Sequence, residues 1–371
     1  IVSVFNGEIS IDNTYLDWAS FYQTINICNT ILKFAPTAQA NDPTFSEAQL
    51  KEYEGQAIAI RSLMYFYLVR TFGDVPFIRE AYVNGSQQMS VAKSSEKEIL
   101  AGLVADLEMV ETGNYLPGQY SSTDIAQNKG RMTMWAVKAL LADIYLWQEE
   151  YEKCNRKCDE IIGSGQLLLV PVESRKIEVE NTEEGTTDIY YAPDQSSYYS
   201  LFQQIYYQGN SMESIFELQF ATDNLNPFYS LMSSGRGVIG VKTERVNSDI
   251  FPPLADEAYS GECFDIRSVI SQSKSCLWKY IGVEPNGSER AQEEYTNNFI
   301  IYRLAEIYLM KAEALTQMAI LDSDNQELLK EAYAAVKVIR DRSTAVATTD
   351  IGQTEGSYSG FVNALFSECL R

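Results

Sequence analysis

Histidine is missing from all 371 residues. Its absence removes the commonest general base and the commonest catalytic metal ligand, so Ser-His-Asp, Cys-His and His-bearing zinc sites are excluded. Positive charge is scarce: 29 Lys and Arg against 51 Asp and Glu leave a formal net charge of -22. Such a balance repels polyphosphates and anionic lipid surfaces, and nucleic acid is not expected as a partner. Cysteine is sparse and scattered (Cys28, Cys154, Cys158, Cys263, Cys276 and Cys369), which rules out a disulfide-built scaffold. Long apolar runs are lacking as well. The stretch Leu63 to Val69 falls far short of the ~20 residues that span a bilayer, and no signal peptide opens the sequence. A lipid on residues outside this sequence would still tether the chain to a membrane.

What is present is ample material for a core. Hydrophobic residues make up 45% of the chain, and 24 Tyr, 16 Phe and 4 Trp suit a helical interior or a surface that stacks flat ligands. Tyr53 to Phe72 carries Ala57, Ile60, Met64, Tyr67 and Leu68 at helical spacing, with Ile58, Phe66 and Val69 widening the apolar face. Gly73 predicts its end, and Asp74, Val75 and Pro76 a turn into extended chain. Met132 to Ile162 reads as two helices broken at Gln148 to Glu150, a unit of tetratricopeptide length with Cys154 and Cys158 where antiparallel helices approach closely. Arg303 to Met318 forms a third helical unit, with a partner opened by an Asp324 and Glu327 capping box. Trp18 to Phe34 and Glu96 to Val110 are amphipathic too.

These patterns predict a mostly α chain of tetratricopeptide-like helix pairs: helical repeats over 1–162, a variable, loop-rich part over 163–298 and a further helical repeat over 299–371. The middle part is rich in Gly, Ser, Asn and Pro, with short strand-like runs at Ser214 to Phe220 and Cys276 to Ile281. Loops of that length usually carry function.

Four segments in order resemble the SusD/RagB family of Bacteroidetes outer-membrane nutrient-binding lipoproteins. They are IRSLMYFYLVRTFGDVPF (60–77), GRMTMWAVKALLADIYLW (130–147), IYRLAEIYLMKAEAL (301–315) and IRDRS (339–343), with SIFELQF, FDIR and LWKYIG between the second and third. The resemblance implies a tetratricopeptide scaffold, lipid-anchored at the cell surface, that docks on a SusC-like TonB-dependent transporter and holds a glycan. In related members the cargo is a peptide, and a protein-interaction scaffold is a further alternative. No catalytic machinery and no cofactor are implied, although so acidic a chain leaves room for a structural calcium ion. The family's lipid-bearing N-terminal cysteine and its later C-terminal helices have no counterpart here, so the sequence is expected to be part of a longer protein.

A glycan site needs aromatic platforms beside amide, carboxylate or guanidinium groups. The middle part offers Tyr190, Tyr191, Asp194, Gln195, Tyr198, Tyr199, Gln203, Gln204, Tyr206 and Tyr207. Some of these rings must instead pack beneath the loops, and Tyr199 is a better exposed candidate than Phe202. The candidate ligand contacts are Asn13, Tyr15, Trp18, Tyr191, Tyr199 and Trp278. Trp18 also reads as a helix anchor, and Trp278, on an expected strand, stands between platform and packing.

Other patterns have simpler readings. GRGVIG (235–240) lacks the strand and helix of a dinucleotide fingerprint. Asp322, Asp324 and Gln326 lack the glycine of a calcium loop. Cys154 and Cys158 lack further metal ligands, and paired acids such as Glu183 with Glu184 or Glu293 with Glu294 read as solvated faces rather than as a glycosidase pair.

Overall fold

The computed structural model describes residues 16–85, 90–172, 174–181, 186–193, 201–233, 239, 267, 278–282, 284, 288–323 and 325–343, with residues 174–181, 186–193 and 278 described by their backbone. The chain forms two compact units, Ile1–Glu150 and Tyr151–Arg371.

In the first unit α1 (Ala19–Asn41) packs on α2 (Glu47–Phe72), α2 on α3 (Glu96–Thr112), and α3 on α4 (Met134–Trp147). Each of the last three begins at a hydroxyl cap, Ser46, Ser95 and Thr133, whose side chain satisfies a backbone N–H of the first turn. α2 starts before Tyr53 because Ser46 and Gln49 form a reciprocal capping box, with Ser46 N–H donating to Gln49 Oε1 at 2.9 Å. It ends at Gly73, whose positive φ of 67° lets the chain turn out of the helix. The helices bury their apolar faces on one another, and Ala59, Leu68, Leu107, Leu140 and Ile144 are fully enclosed.

The extended segment after Gly73 is strapped across α1 and α2 by side chains. Tyr22 Oη donates to Pro76 O at 2.8 Å, and Tyr65 Oη both donates to Ile78 O (2.8 Å) and accepts Ile78 N–H (2.7 Å). Asn29 Nδ2 donates to the Ile78 and Glu80 carbonyls, and Asn26 exchanges both bonds with the Tyr82 backbone. Residues 22, 26 and 29 lie on one face of α1, while 76, 78, 80 and 82 alternate along the strap. The two periodicities, of a helix and of extended chain, therefore mesh, and side chains supply what a neighbouring strand would otherwise provide. Burial pushes the Tyr22 phenol up to about 12, which keeps it a donor.

In the second unit α5 (Tyr151–Ile162) and α7 (Gln326–Arg342) both pack on α6 (Leu304–Leu321). Cys154 and Cys158 are buried on α5. The Cys158 thiol is pushed up by its hydrogen bond with Cys154 and by burial, which suits packing and not ligation. α7 begins one residue later than the expected capping box places it. Asn325 Oδ1 accepts from Glu327 N–H (3.0 Å) and Leu328 N–H (3.4 Å), and Asp322 Oδ2 accepts from Asn325 Nδ2, so Asn325 caps the helix. Asp324 lies outside the described residues.

Strands β1 (Ser174–Asn181) and β2 (Thr186–Pro193) form an antiparallel hairpin. β3 (Ser214–Leu218), within the expected Ser214 to Phe220 run, pairs antiparallel with β4 (Phe299–Arg303), with irregular register between Ser214 and Glu217. Arg303 thus ends a strand and at the same time stands at the N-cap of α6. The Phe-Ile-Ile-Tyr run before it is aromatic and β-branched, and Leu304 N–H donates to Glu213 O at 2.7 Å as the chain passes directly into α6.

Candidate functional site

Of the sequence-derived candidates, Asn13, Tyr15 and Tyr199 lie outside the described residues. Trp18 caps α1, packs its ring on Phe72 (centroids 5.4 Å apart) and carries the Lys93 ammonium 5.6 Å from its centroid, so much of the ring serves as an anchor. Tyr191 sits in β2 opposite Lys176 of β1. The expected strand at Cys276 to Ile281 is corrected at its described end: Trp278–Ile281 is a short helix. The Tyr280 carbonyl accepts from Tyr295 Oη (2.6 Å) and Asn297 Nδ2 (2.9 Å), while Ile281 is buried against Phe202 and Tyr295, so no ladder bond is available to a neighbouring strand. The GRGVIG run, Glu183 and Glu184 fall outside the described residues, except Ile239. Glu293 and Glu294 are exposed on a single turn, Gln292–Glu294.

The described residues place a different set together. Gln203–Tyr207 forms a π-helical turn, closed by Gln208 N–H donating to Gln203 O at 2.7 Å. Such wide turns are rare overall and frequent at functional sites. Here two consecutive tyrosines, both half-buried, take different partners. Tyr206 packs inward against Phe202, with ring centroids 5.2 Å apart, and joins the buried clusters around Tyr295 and Val170. Tyr207 has the Arg290 guanidinium 3.9 Å from its ring centroid.

That stack is fixed at both ends. Arg290 is 6% exposed, and its Nη2 donates to Tyr207 O at 2.5 Å while Nη1 donates to Thr296 Oγ1 at 3.2 Å. Tyr207 Oη donates to Glu284 Oε2 at 3.0 Å. Burial, then the hydrogen bond to Glu284 and its charge, raise the Tyr207 phenol above its ordinary value, so it stays protonated at neutral pH. Burial lowers Arg290, against the pull of Tyr207 and Glu284.

The chain on either side is held by amides around a buried carboxylate. Glu217, fully enclosed, accepts from Asn210 N–H (2.8 Å), Asn298 Nδ2 (2.8 Å) and Ser214 Oγ, and Gln219 bridges Asn210 and Asn298. Gly209 and Gly282 take positive φ of 68° and 57°, and a Cβ there would meet Asn298 Nδ2 at 2.7 Å or Tyr206 O at 2.9 Å. Only glycine allows this close approach of two loops without strain. The result is a tyrosine ring held in one orientation, with Gln208 exposed beside it. Sequence reasoning placed Tyr207 in the tyrosine-rich stretch but found neither Arg290 nor Glu284, about eighty residues away, because no local pattern marks them.

A family profile described as "Starch-binding associating with outer membrane" matches residues 3–146, and one described as "SusD family" matches residues 271–371. The chain is 23% identical to SusD-like protein P25 of Formosa agariphila over 394 residues, 99% of this chain and 68% of that one. A SusD superfamily protein from Bacteroides fragilis superposes with a TM-score of 0.71 at 19% identity, covering 99% of this chain and 74% of that one. Surface glycan-binding protein A from Bacteroides uniformis superposes at 0.61 with 20% identity, over 92% and 69%. Helix pairs of tetratricopeptide type in that architecture, with two profiles of one family matched at either end, lead to one assignment: the chain belongs to the SusD/RagB family.

Proposed function

We propose that the protein binds glycans at the outer face of the outer membrane, where a lipid anchor holds it, and hands them to a SusC-like TonB-dependent transporter. The observation that carries the binding half is the Tyr207 ring, backed by Arg290 and tethered through its hydroxyl to Glu284. A sugar offers a C–H face to such a ring, and a platform already immobilised loses little entropy when the sugar lands. Tyr207, Glu284 and Arg290 all fall within 163–298, the part that the sequence sets aside for the ligand. Tyr191, Tyr199 and Trp278 are further contact candidates from the same part.

The test is Tyr207→Ala against Tyr207→Phe, titrated calorimetrically with a panel of polysaccharides. Loss of the ring is expected to weaken binding by about 5- to 30-fold, or about 1–2 kcal/mol, whereas the phenylalanine variant keeps most of the affinity. Equal affinity of Tyr207→Ala and wild type would remove the platform from the account.

The delivery half is supported by α1, which presents Ile27 (54% exposed), Ile31 (36%) and Phe34 (46%) at successive turns of one face. α1 has no acidic residue, although the chain as a whole is strongly acidic. An apolar stripe without carboxylates, with the Lys33 ammonium 5.4 Å from the Phe34 centroid, suits protein contact. Ile31→Glu is expected to abolish co-purification of the transporter barrel from membranes while glycan affinity stays at the wild-type value. Unchanged co-purification would place the contact elsewhere.

A further inference from the structure

Among the described residues, carboxylates outnumber cations around Tyr207. Glu284 is in contact with the phenol, Glu294 is near enough for its charge to act on Tyr207, and Glu293 is exposed next to it. The cation that backs the ring is turned inward: Arg290 is buried, and both terminal nitrogens donate to protein oxygens. Lys279 is exposed on the neighbouring short helix, but its ammonium lies 5.0 Å from the Tyr280 ring centroid, where that ring draws it. Among the described residues, a ligand reaching the platform therefore meets carboxylates without a free guanidinium to answer an acidic group.

We infer that the site selects uncharged sugars and rejects polyanionic ones, namely uronates and sulfated glycans. This deepens the glycan-binding reading and rests on it. The physical basis is repulsion between Glu284 and Glu294 and a ligand carboxylate or sulfate a few ångströms away, in surroundings less polar than bulk water. Like-charge repulsion at that range is expected to weaken binding by about 5- to 20-fold, and salt must reduce the penalty because the groups are only partly shielded from solvent.

Matched polymers that differ in charge separate the two ideas. The probes are mannan against mannuronan, galactan against galacturonan, and dextran against dextran sulfate, each titrated at 20 mM and 500 mM sodium chloride. In every pair that binds, the neutral member is expected to bind at least fivefold more tightly at low salt. The gap should narrow at high salt and in Glu284→Gln, which keeps an acceptor for Tyr207. Glu294→Gln is the second variant, at an exposed position, and should narrow the gap as well. Equal or tighter binding of the anionic members, with Tyr207→Ala still lowering affinity for both, overturns the selectivity and leaves the platform standing. Binding indifferent to Tyr207→Ala, or no binding to any member by the folded protein, overturns both.

Discussion

Glu213→Gln is expected to destabilise the second unit by about 3–5 kcal/mol, the range found when one partner of a buried ion pair is removed. Glu213 has no exposed surface and accepts from Arg303 Nη1 at 2.7 Å, Arg342 Nη1 at 2.9 Å and the Val170 N–H at 3.2 Å. It ties the end of β4 to the last turn of α7 and to the chain after α5. Glutamine keeps the shape but leaves the guanidinium of Arg342, whose side chain is 9% exposed, without a counter-charge. Thermal unfolding followed by circular dichroism should show a midpoint lower by about 10 °C. A control is Lys330→Ala, which breaks the exposed pair of Lys330 and Glu327 and should leave the midpoint where it was. A Glu213→Gln midpoint within a degree of wild type would show that the carboxylate is not the tie.

The same carboxylate sets an acid limit. Burial works to raise Glu213, but Arg303 and Arg342 outweigh it and hold the group below the ordinary glutamate range. A folded pKa below the unfolded one gives stability that is complete above the unfolded value, about 4.3, and is lost as pH falls through the depressed folded value. The deficit of Glu213→Gln relative to wild type should therefore be constant between pH 6 and 8. It should shrink as the pH falls below about 4, where wild type surrenders the advantage that the variant never had.

Most helices were legible because their signals are local. Gly73, the Gln148 to Glu150 break and the small Cys154 and Cys158 positions all act within a few residues of the feature that they specify, whereas the Ser46 and Gln49 box that starts α2 was not read. What was not legible depends on residues distant in sequence. IYRLAE and IRDRS were readable as family segments, yet nothing in either says that Arg303 and Arg342 converge on Glu213. Trp278 reads as strand by composition, and only Tyr295 and Asn297, reaching back to the Tyr280 carbonyl, turn that stretch into helix. Tyr207 differs from Tyr206 in its partners for the same kind of reason: a wide turn and a distant arginine set what its ring stacks on, and neither is written in Gln-Gln-Ile-Tyr-Tyr.

Asp106→Ala is the corresponding prediction for the first unit, again at about 3–5 kcal/mol. Asp106, on α3, accepts from Arg61 of α2 at 2.8 Å and from Arg79 at 2.5 Å, and Arg61 also donates to Asn29 of α1 at 2.8 Å. Arg61 is 4% exposed, and its Nε already lacks a partner among the described residues, so removing the carboxylate leaves a buried cation facing only an amide oxygen. Arg79→Ala breaks the shorter of the two ion pairs but should cost less than about 1 kcal/mol, because the Arg79 side chain is 44% exposed and water replaces much of what it gives. Burial, not distance, thus ranks the two partners. The pair Arg61→Met with Asp106→Leu removes both charges together and should recover at least half of the loss of Asp106→Ala, since an apolar replacement of a whole buried pair is often neutral. Asn29 links this centre to the strap through the Ile78 and Glu80 carbonyls, so Asp106→Ala should also speed amide exchange at Ile78 and Tyr82. If Asp106→Ala and Arg79→Ala destabilise equally, or if exchange in the strap does not change, Arg61 is not the buried pin that joins the three helices.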